Sequence, residues 1–375
     1  MALILFITPV MAGTISYCEI KDMHENKPTS ATQSPESQLF THNLYDRYAK
    51  GHGKNYGSIS YPHDEDVMSL IMRIDEITYL RYLENITAFG ARVTGTRACD
   101  EASAYLYKEF ENIGLDNLRK QYWSYGDLHG TNIEATLPGI NNSSDEIYIV
   151  CAHYDTAPGS PGADDDGSGV AAVLSIAKAM SHYAFNHTIR FVLFSGEEQG
   201  KIGSYYYVQE AKENNDRIVA TLNVDMIGYA PISPRIEHEN YDKILMTLKV
   251  TMPDYALPYQ IYVLTCRRMY RIKVYSNPSS KWIADFTVTI SKEYFEYITL
   301  KVVTRRHSGG GDHVRFYEAG YDAVFYNEYL PNLWYHSQED TIEKLNIEYA
   351  TKVSRLITAT LACLSEIVAL YSYCD

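Results

Sequence analysis

The chain has no two cysteines at C-x-x-C spacing. Its six cysteines, at positions 18, 99, 151, 266, 363 and 374, are scattered, so a zinc site built on thiolates is excluded. Cys151 falls in an apolar strand and Cys363 on an apolar helix face, where buried thiols are expected rather than disulfides. Positive charge is also scarce: 33 Lys and Arg against 47 Asp and Glu give a formal net charge of −14. Nucleic acid and anionic membranes need a basic surface, so neither is an expected partner. No apolar run is long enough to cross a bilayer, and no internal repeat is visible. The remainder is ordinary globular composition, 46% hydrophobic and 21% charged. The 34 tyrosines read as core and surface filler.

At the N-terminus the short apolar run Ala2–Ile7 leads to Val10-Met11-Ala12, which resembles a small-residue cleavage site, although no basic residues precede the run. Residues 1–18 are therefore expected to be a signal segment and the protein to be exported. Cys18 follows Tyr17, where a lipid-anchor cleavage site needs a small residue, so no lipid anchor is expected. Glycosylation triplets at Asn85, Asn141, Asn142 and Asn186 agree with an extracellular address and are about as frequent as chance. Residues 19–60 are rich in Ser, Thr, Pro, Asn, Lys and Gly and read as a flexible linker. The folded domain is expected over 61–375.

Within it the hydrophobic period alternates between helix and strand. Val67, Leu70, Ile71, Ile74 and Ile77 predict a first helix behind Asp64-Glu65-Asp66, and Ala102 to Ile113 a second that stops at Gly114. Continuous apolar strands are predicted at 147–152, 189–194, 219–224 and 322–326, with helices at 168–181 and 204–214 between them. Tyr297 to Val303 reads as another strand. A closing helix from Asn346 carries Val353, Leu356, Ile357, Leu364, Ile367 and Val368. Apolar strands separated by helices predict an α/β three-layer sandwich, a mostly parallel sheet covered on both faces.

Ligands bind such sheets beyond the carboxyl ends of the strands, and the chemically able residues fall there. His153 and Asp155 follow the first strand, Glu197 and Glu198 the second, Asp225 the third. Asp155, two residues along an extended segment, is on the same side as His153 and suited to fix its tautomer. Asp164-Asp165-Asp166 lies in a glycine-rich turn before a helix, and a carboxylate there has two oxygens with which to bridge two cations. Each motif has a plain reading in isolation: a satisfied His–Asp pair, capping aspartates, a solvated acidic pair. It is three strand ends delivering such groups to one edge that points to a metal site. Gly200 to Ser204 is not a phosphate loop, since Lys201 is not followed by Ser or Thr.

Taken together, Cys151 to Asp155, Gly162 to Gly169, Phe194 to Glu198, Asn223 to Gly228, Gly311-Asp312-His313 and Tyr335-His336 to Thr341 resemble, in order and spacing, the dizinc aminopeptidases of the bacterial leucyl aminopeptidase and aminopeptidase Y type. The resemblance spans about residues 64 to 370 and is weakest over 230–307. Carried over by position, it implies two zinc ions, one held by His153 and Asp225, the other by Glu198 and His336, with Asp165 bridging both. It implies Glu197 as general base, a supporting hydroxyl on Tyr335, a pocket shaped by Asp312-His313, and a cis peptide after Asp165. The implied activity is release of N-terminal residues from peptides by metal-activated water. A carboxypeptidase or a glutaminyl cyclase of the same fold, or a binding protein that kept the fold, are the alternatives. The motif segments hold only Lys201 and Arg315 as basic side chains besides histidine, which favours an amine over a carboxylate as the recognised end, although Arg305 and Arg306 lie nearby.

Overall fold

The computed structural model of the chain describes residues 64–230, 270–306 and 310–370. The expected signal segment and linker, residues 1–60, lie outside these.

The first apolar stripe makes two helices, not one. Helix α1 (Asp64–Met72) stops, and Asp75 starts α2 (Glu76–Thr87) by accepting the Thr78 amide at 2.8 Å. The break rotates Ile77 outward to 83% exposure while Ile74 stays buried. A short polar side chain that captures a backbone N–H resets the helix phase, and hydrophobic spacing alone does not register that. Helix α3 (Arg97–Ile113) likewise begins before Asp100, because the Thr96 hydroxyl caps it; it ends at Gly114 with φ +89°, a conformation glycine adopts without strain.

Strands β1 (Asn117–Tyr125) and β2 (Leu128–Leu137) form an antiparallel hairpin that the sequence reading did not contain. Only Trp123 of β1 is buried, so this edge strand lacks an apolar signal. Then come β3 (Glu146–His153), α4 (Gly167–Met180), β4 (Tyr183–Phe185), β5 (Thr188–Phe194), α5 (Ile202–Glu213) and β6 (Arg217–Val224). Past the break follow β7 (Tyr270–Ser276), α6 (Lys281–Glu293), α7 (Phe295–Ile298), β8 (Leu300–Arg306), α8 (His313–Ala319), β9 (Ala323–Glu328), α9 (Ile347–Leu364) and β10 (Ile367–Leu370). The strand expected from Tyr297 starts only at Leu300, because α7 occupies 295–298 and turns out through Thr299 at φ 47°. Ile367 and Val368, assigned to the closing helix, lie beyond its end at Leu364; Ile367 pairs with Phe185 of β4, and Val368 sits at the irregularity that follows.

Eight strands form one sheet in the order β1-β2-β5-β3-β6-β9-β7-β8. Its centre, β5-β3-β6-β9, is parallel. Alternate residues of β3 serve opposite layers. Tyr148, Val150 and Ala152 join the core formed with α4 and α9, and Ile147, Ile149 and Cys151 the core formed with α5 and α8. The predicted three-layer sandwich is the observed one. Helix α9 buries Val353, Leu356, Ile357 and Leu361 completely, each contributing about 1.5–3 kcal/mol by transfer from water. Parallel register places His153 level with Phe194, so the residues that follow β3 and β5 leave the sheet side by side.

Candidate metal centre

His153 is the last residue of β3 and is buried. Its Nδ1 lies 3.1 Å from the Asp155 main-chain carbonyl. A carbonyl can only accept, so Nδ1 carries a hydrogen and Nε2 is the nitrogen that faces the site. Asp155 was expected to fix this tautomer through its carboxylate; that carboxylate stands off at 3.5 Å. Its two oxygens instead accept the amides of Glu197 and Glu198, each at 3.2 Å. Asp155 thus joins the ends of β3 and β5 and aims both glutamates.

Of the three adjacent aspartates, the middle one faces the histidines. Asp165 Oδ1 is 3.2 Å from His153 Nε2 and its Oδ2 is 3.1 Å from His336 Nε2. The flanking pair bind backbone. Asp166 accepts the amides of Gly169, Met226 and His153, capping α4 and tying it to β3 and β6. Asp164 accepts the Gly228 amide and the Asn332 side chain, both at 2.8 Å. From below, Asp340 receives the amides of Asp164 at 2.9 Å and Asp165 at 3.1 Å. The Asp165–Asp166 peptide is cis, as the resemblance implied.

Two groups of donors result. His153, Asp166 and Asp225 have atoms within 4.8 Å of one another, and so do Asp165, Glu198 and His336. Asp166 is in reach of the first group, but its oxygens already serve three amides; Asp165 and Asp225, at 3.2 and 3.8 Å from His153 Nε2, are the carboxylates that face it. In the second group Glu198 Oε2 is 2.9 Å from His336 Nε2. All five residues expected as ligands are therefore together, on five separate chain segments. Tyr335 is beside them, its ring stacked on His336 with centroids 3.6 Å apart. Glu197 is buried next to the group, its carboxylate 3.1 Å from the Lys201 ammonium.

The chemistry of the set fits zinc. His153 Nε2 and Glu198 Oε1 are buried without a hydrogen-bond partner, a costly condition that a cation relieves. The donors are imidazole nitrogen and carboxylate oxygen, a combination zinc accepts. The electrostatics agree. Burial pushes Glu198 up to about 7, with Asp165 adding repulsion, and holds Glu197 well above the carboxylate range. Burial opposes protonation of His153, but Asp155, Asp165 and Asp225 outweigh it and raise its pKa well above normal. The cluster holds protons because it is short of positive charge.

Two supports escaped the sequence reading. Arg92, fully buried, donates to the carbonyls of Tyr154, Pro161 and Gly162 at 2.7, 2.8 and 3.0 Å, fixing the loop that carries Asp165. A lone arginine between helices gave no such signal. Asp340 was within a matched segment, but its grip on the aspartate turn depends on a fold that brings residues 164 and 340 together. Asp312 is buried and accepts the Ser204 hydroxyl. Arg315 donates to the carbonyls of Gly200 at 2.8 Å and Lys201 at 3.3 Å, fastening the turn after Glu198. Arg305 and Arg306 are exposed at the end of the edge strand β8, which β7 and β9 separate from β6.

Residues 132–361, more than half the chain, match peptidase family M28. The chain belongs to this family. Among similar proteins, a probable zinc metalloprotease of Pyrenophora tritici-repentis is 26% identical over 80% of this chain and 76% of its own length. Aminopeptidase YwaD of Bacillus subtilis is 28% identical over 57% of this chain, which spans only 40% of that protein. The LapA aminopeptidase of Legionella pneumophila shares the fold with a TM-score of 0.67 at 20% identity, covering 84% of this chain and 79% of its own. A glutaminyl cyclase of Porphyromonas gingivalis does so at 0.58 and 17%, over 76% and 97%. At such identities the structural likeness shows the fold of this M28 peptidase and leaves its chemistry to the site.

Proposed function

We propose that the chain is a zinc-dependent aminopeptidase that works with two zinc ions. The reading is carried by Asp165, whose two oxygens face His153 at 3.2 Å and His336 at 3.1 Å. His153 and Asp225 would hold one ion, Glu198 and His336 the other, and Asp165 both. When bound, zinc supplies Lewis acidity and lowers the pKa of water to near neutrality.

The rest falls to the chain's own residues. With Nδ1 hydrogen-bonded to the Asp155 carbonyl, His153 presents Nε2 to the site as the atom that would bind metal, and the Asp155 carboxylate keeps Glu197 and Glu198 in register. Glu197 takes a proton from the attacking water and returns it to the leaving amine. Its burial, which raises proton affinity, suits it to hold that proton between the two transfers. The Tyr335 hydroxyl, carried by a ring stacked on His336, is suited to donate to the oxygen on which charge develops. The acidic excess suits a substrate's free amine. Lys201 is engaged by Glu197 and Arg315 by carbonyls, so among the described residues of the motif segments neither is left for a substrate carboxylate. A glutaminyl cyclase needs fewer ligands, and the full set supports hydrolysis. Export is proposed as well, on the N-terminal apolar run; N-terminal sequencing of protein recovered from the medium tests it.

The decisive assay uses leucine p-nitroanilide and its N-acetyl derivative, with chelator and with zinc restored. Cleavage of the free amine, none of the acetylated compound, and loss and recovery with metal are expected. Hydrolysis of the acetylated compound, or release of residues from the C-terminus of peptides, overturns the aminopeptidase reading.

A further inference from the structure

Lys201 is a cation placed beside the carboxylates of the candidate metal centre. Its ammonium lies 3.1 Å from Glu197 Oε1, with the lysine side chain 21% exposed and the glutamate 10%. The backbone beneath them is locked. Glu197 N–H goes to Asp155, and the Glu197 carbonyl receives the amides of Gly200 and Lys201 at 2.9 and 2.8 Å. Arg315 clamps the Gly200 and Lys201 carbonyls. Lys201 itself is at φ 61°, an uncommon conformation for a residue with a side chain, and it opens α5 without capping that helix through its side chain. The glutamate's backbone is thus fixed while its side chain has three rotatable bonds. Among the described residues, the ammonium of Lys201 is the charged group that pairs with its carboxylate.

We propose that Lys201 is a positioning residue for the general base: it holds one oxygen of Glu197 so that the other faces the water to be deprotonated. The proposal rests on Glu197 being the base. Proton transfer needs the donor and acceptor within hydrogen-bond reach, and displacing a reacting group by about 1 Å costs on the order of 10²-fold. A carboxylate free to swing on its three bonds spends most of its time away from that position. One anchored oxygen removes the swing and leaves the second oxygen's lone pairs available. No atom of Lys201 needs to touch the substrate.

The test compares Lys201→Met and Lys201→Arg with the parent chain in steady-state hydrolysis of leucine p-nitroanilide, with zinc content measured on each protein. Methionine keeps the length and the backbone conformation but no charge; arginine keeps the charge. The expected result for Lys201→Met is kcat lower by about 10- to 100-fold, KM within about twofold and zinc unchanged. Lys201→Arg is expected to recover most of kcat. Three results overturn the proposal: kcat unchanged in Lys201→Met; a rise in KM at constant kcat, which makes Lys201 a substrate contact; or zinc lost in step with activity, which makes it part of the metal support. An inactive parent chain instead sinks the aminopeptidase reading on which the proposal stands.

Discussion

Two buried carboxylate clusters on the same sheet behave in opposite ways. On β2, Glu134 is met by Arg119 at 3.0 and 3.2 Å, by Arg190 at 3.9 Å and by the Tyr207 hydroxyl at 2.6 Å. Burial pushes its carboxyl up, but the two guanidiniums outweigh burial and hold it below the ordinary range. At the strand ends, burial pushes Asp225 and Glu197 up, nearby carboxylates add to it, and the histidines offset only part. A cluster that contains its own cations is self-sufficient and serves the fold. A cluster whose own cations, Lys201 and the histidines, still leave Glu197 and Asp225 raised is short of positive charge and is relieved by charge from outside. The difference separates a structural ion pair from a binding site without reference to any relative.

The sharpest way to break this comparison is to neutralise one carboxylate in each cluster. Asp165→Asn should abolish metal retention and lower activity by on the order of 10³-fold or more, since a single electrostatic donor is already worth 10²–10³. Glu134→Gln should do the reverse: about 3 kcal/mol of stability lost, the low end for a broken buried pair because Arg119 is 35% exposed, with activity per folded molecule retained. Circular dichroism melts and zinc analysis on both proteins check this. Zinc retained by Asp165→Asn, or lost from Glu134→Gln, would erase the distinction.

Within the centre, Glu197→Gln should keep zinc and lose about 10²–10⁴ in kcat. Loss of zinc in proportion to rate would make Glu197 a ligand rather than a base.

The two clusters should also respond to pH with opposite signs. In metal-free protein Glu198 and Asp340 sit near 7 and Asp312 near 6, each raised first by burial. A raised pKa means the folded state binds the proton more tightly. Their contribution is therefore complete below the unfolded values of about 4 and is lost as pH rises through 6 to 7. Glu134, with a lowered pKa, contributes above its unfolded value and loses that contribution as pH falls through the folded one. Chelated protein should melt at a lower temperature at pH 8 than at pH 5.5, and zinc should remove that decline. A chelated protein more stable at pH 8 would contradict the charge imbalance assigned to the centre.

The smallest effect concerns Tyr335. Phenylalanine preserves the stack on His336, so Tyr335→Phe isolates the hydroxyl. A fall of about tenfold in kcat at constant KM is expected if the hydroxyl acts in the transition state. An unchanged kcat leaves the ring as packing.

Much of this was legible in the sequence, and the physical reasons are specific. Strands β3, β5 and β6 are buried on both faces, so their apolar runs are continuous and their ends mark where His153, Glu197, Glu198 and Asp225 emerge. Helix phase was less legible: Asp75 restarts a helix and Thr96 begins one early, through side-chain capping that periodicity does not record. The β1–β2 hairpin was silent because an edge strand exposed along most of its length has no apolar signature. His336 was visible only through the resemblance, since one histidine in a polar loop says nothing until the fold sets it 3.1 Å from Asp165. Lys201 was read as a residue that failed to complete a phosphate loop, and its partner Glu197 emerged only from coordinates.

The central claim is that this unbalanced cluster is built around Asp165 to hold two ions. Zinc titrated into chelated protein, with stoichiometry read by calorimetry and by metal analysis after dialysis, tests it most directly. Two ions per chain in the parent and none retained by Asp165→Asn is the predicted result; one ion or none in the parent, or two retained without the Asp165 carboxylate, would contradict it.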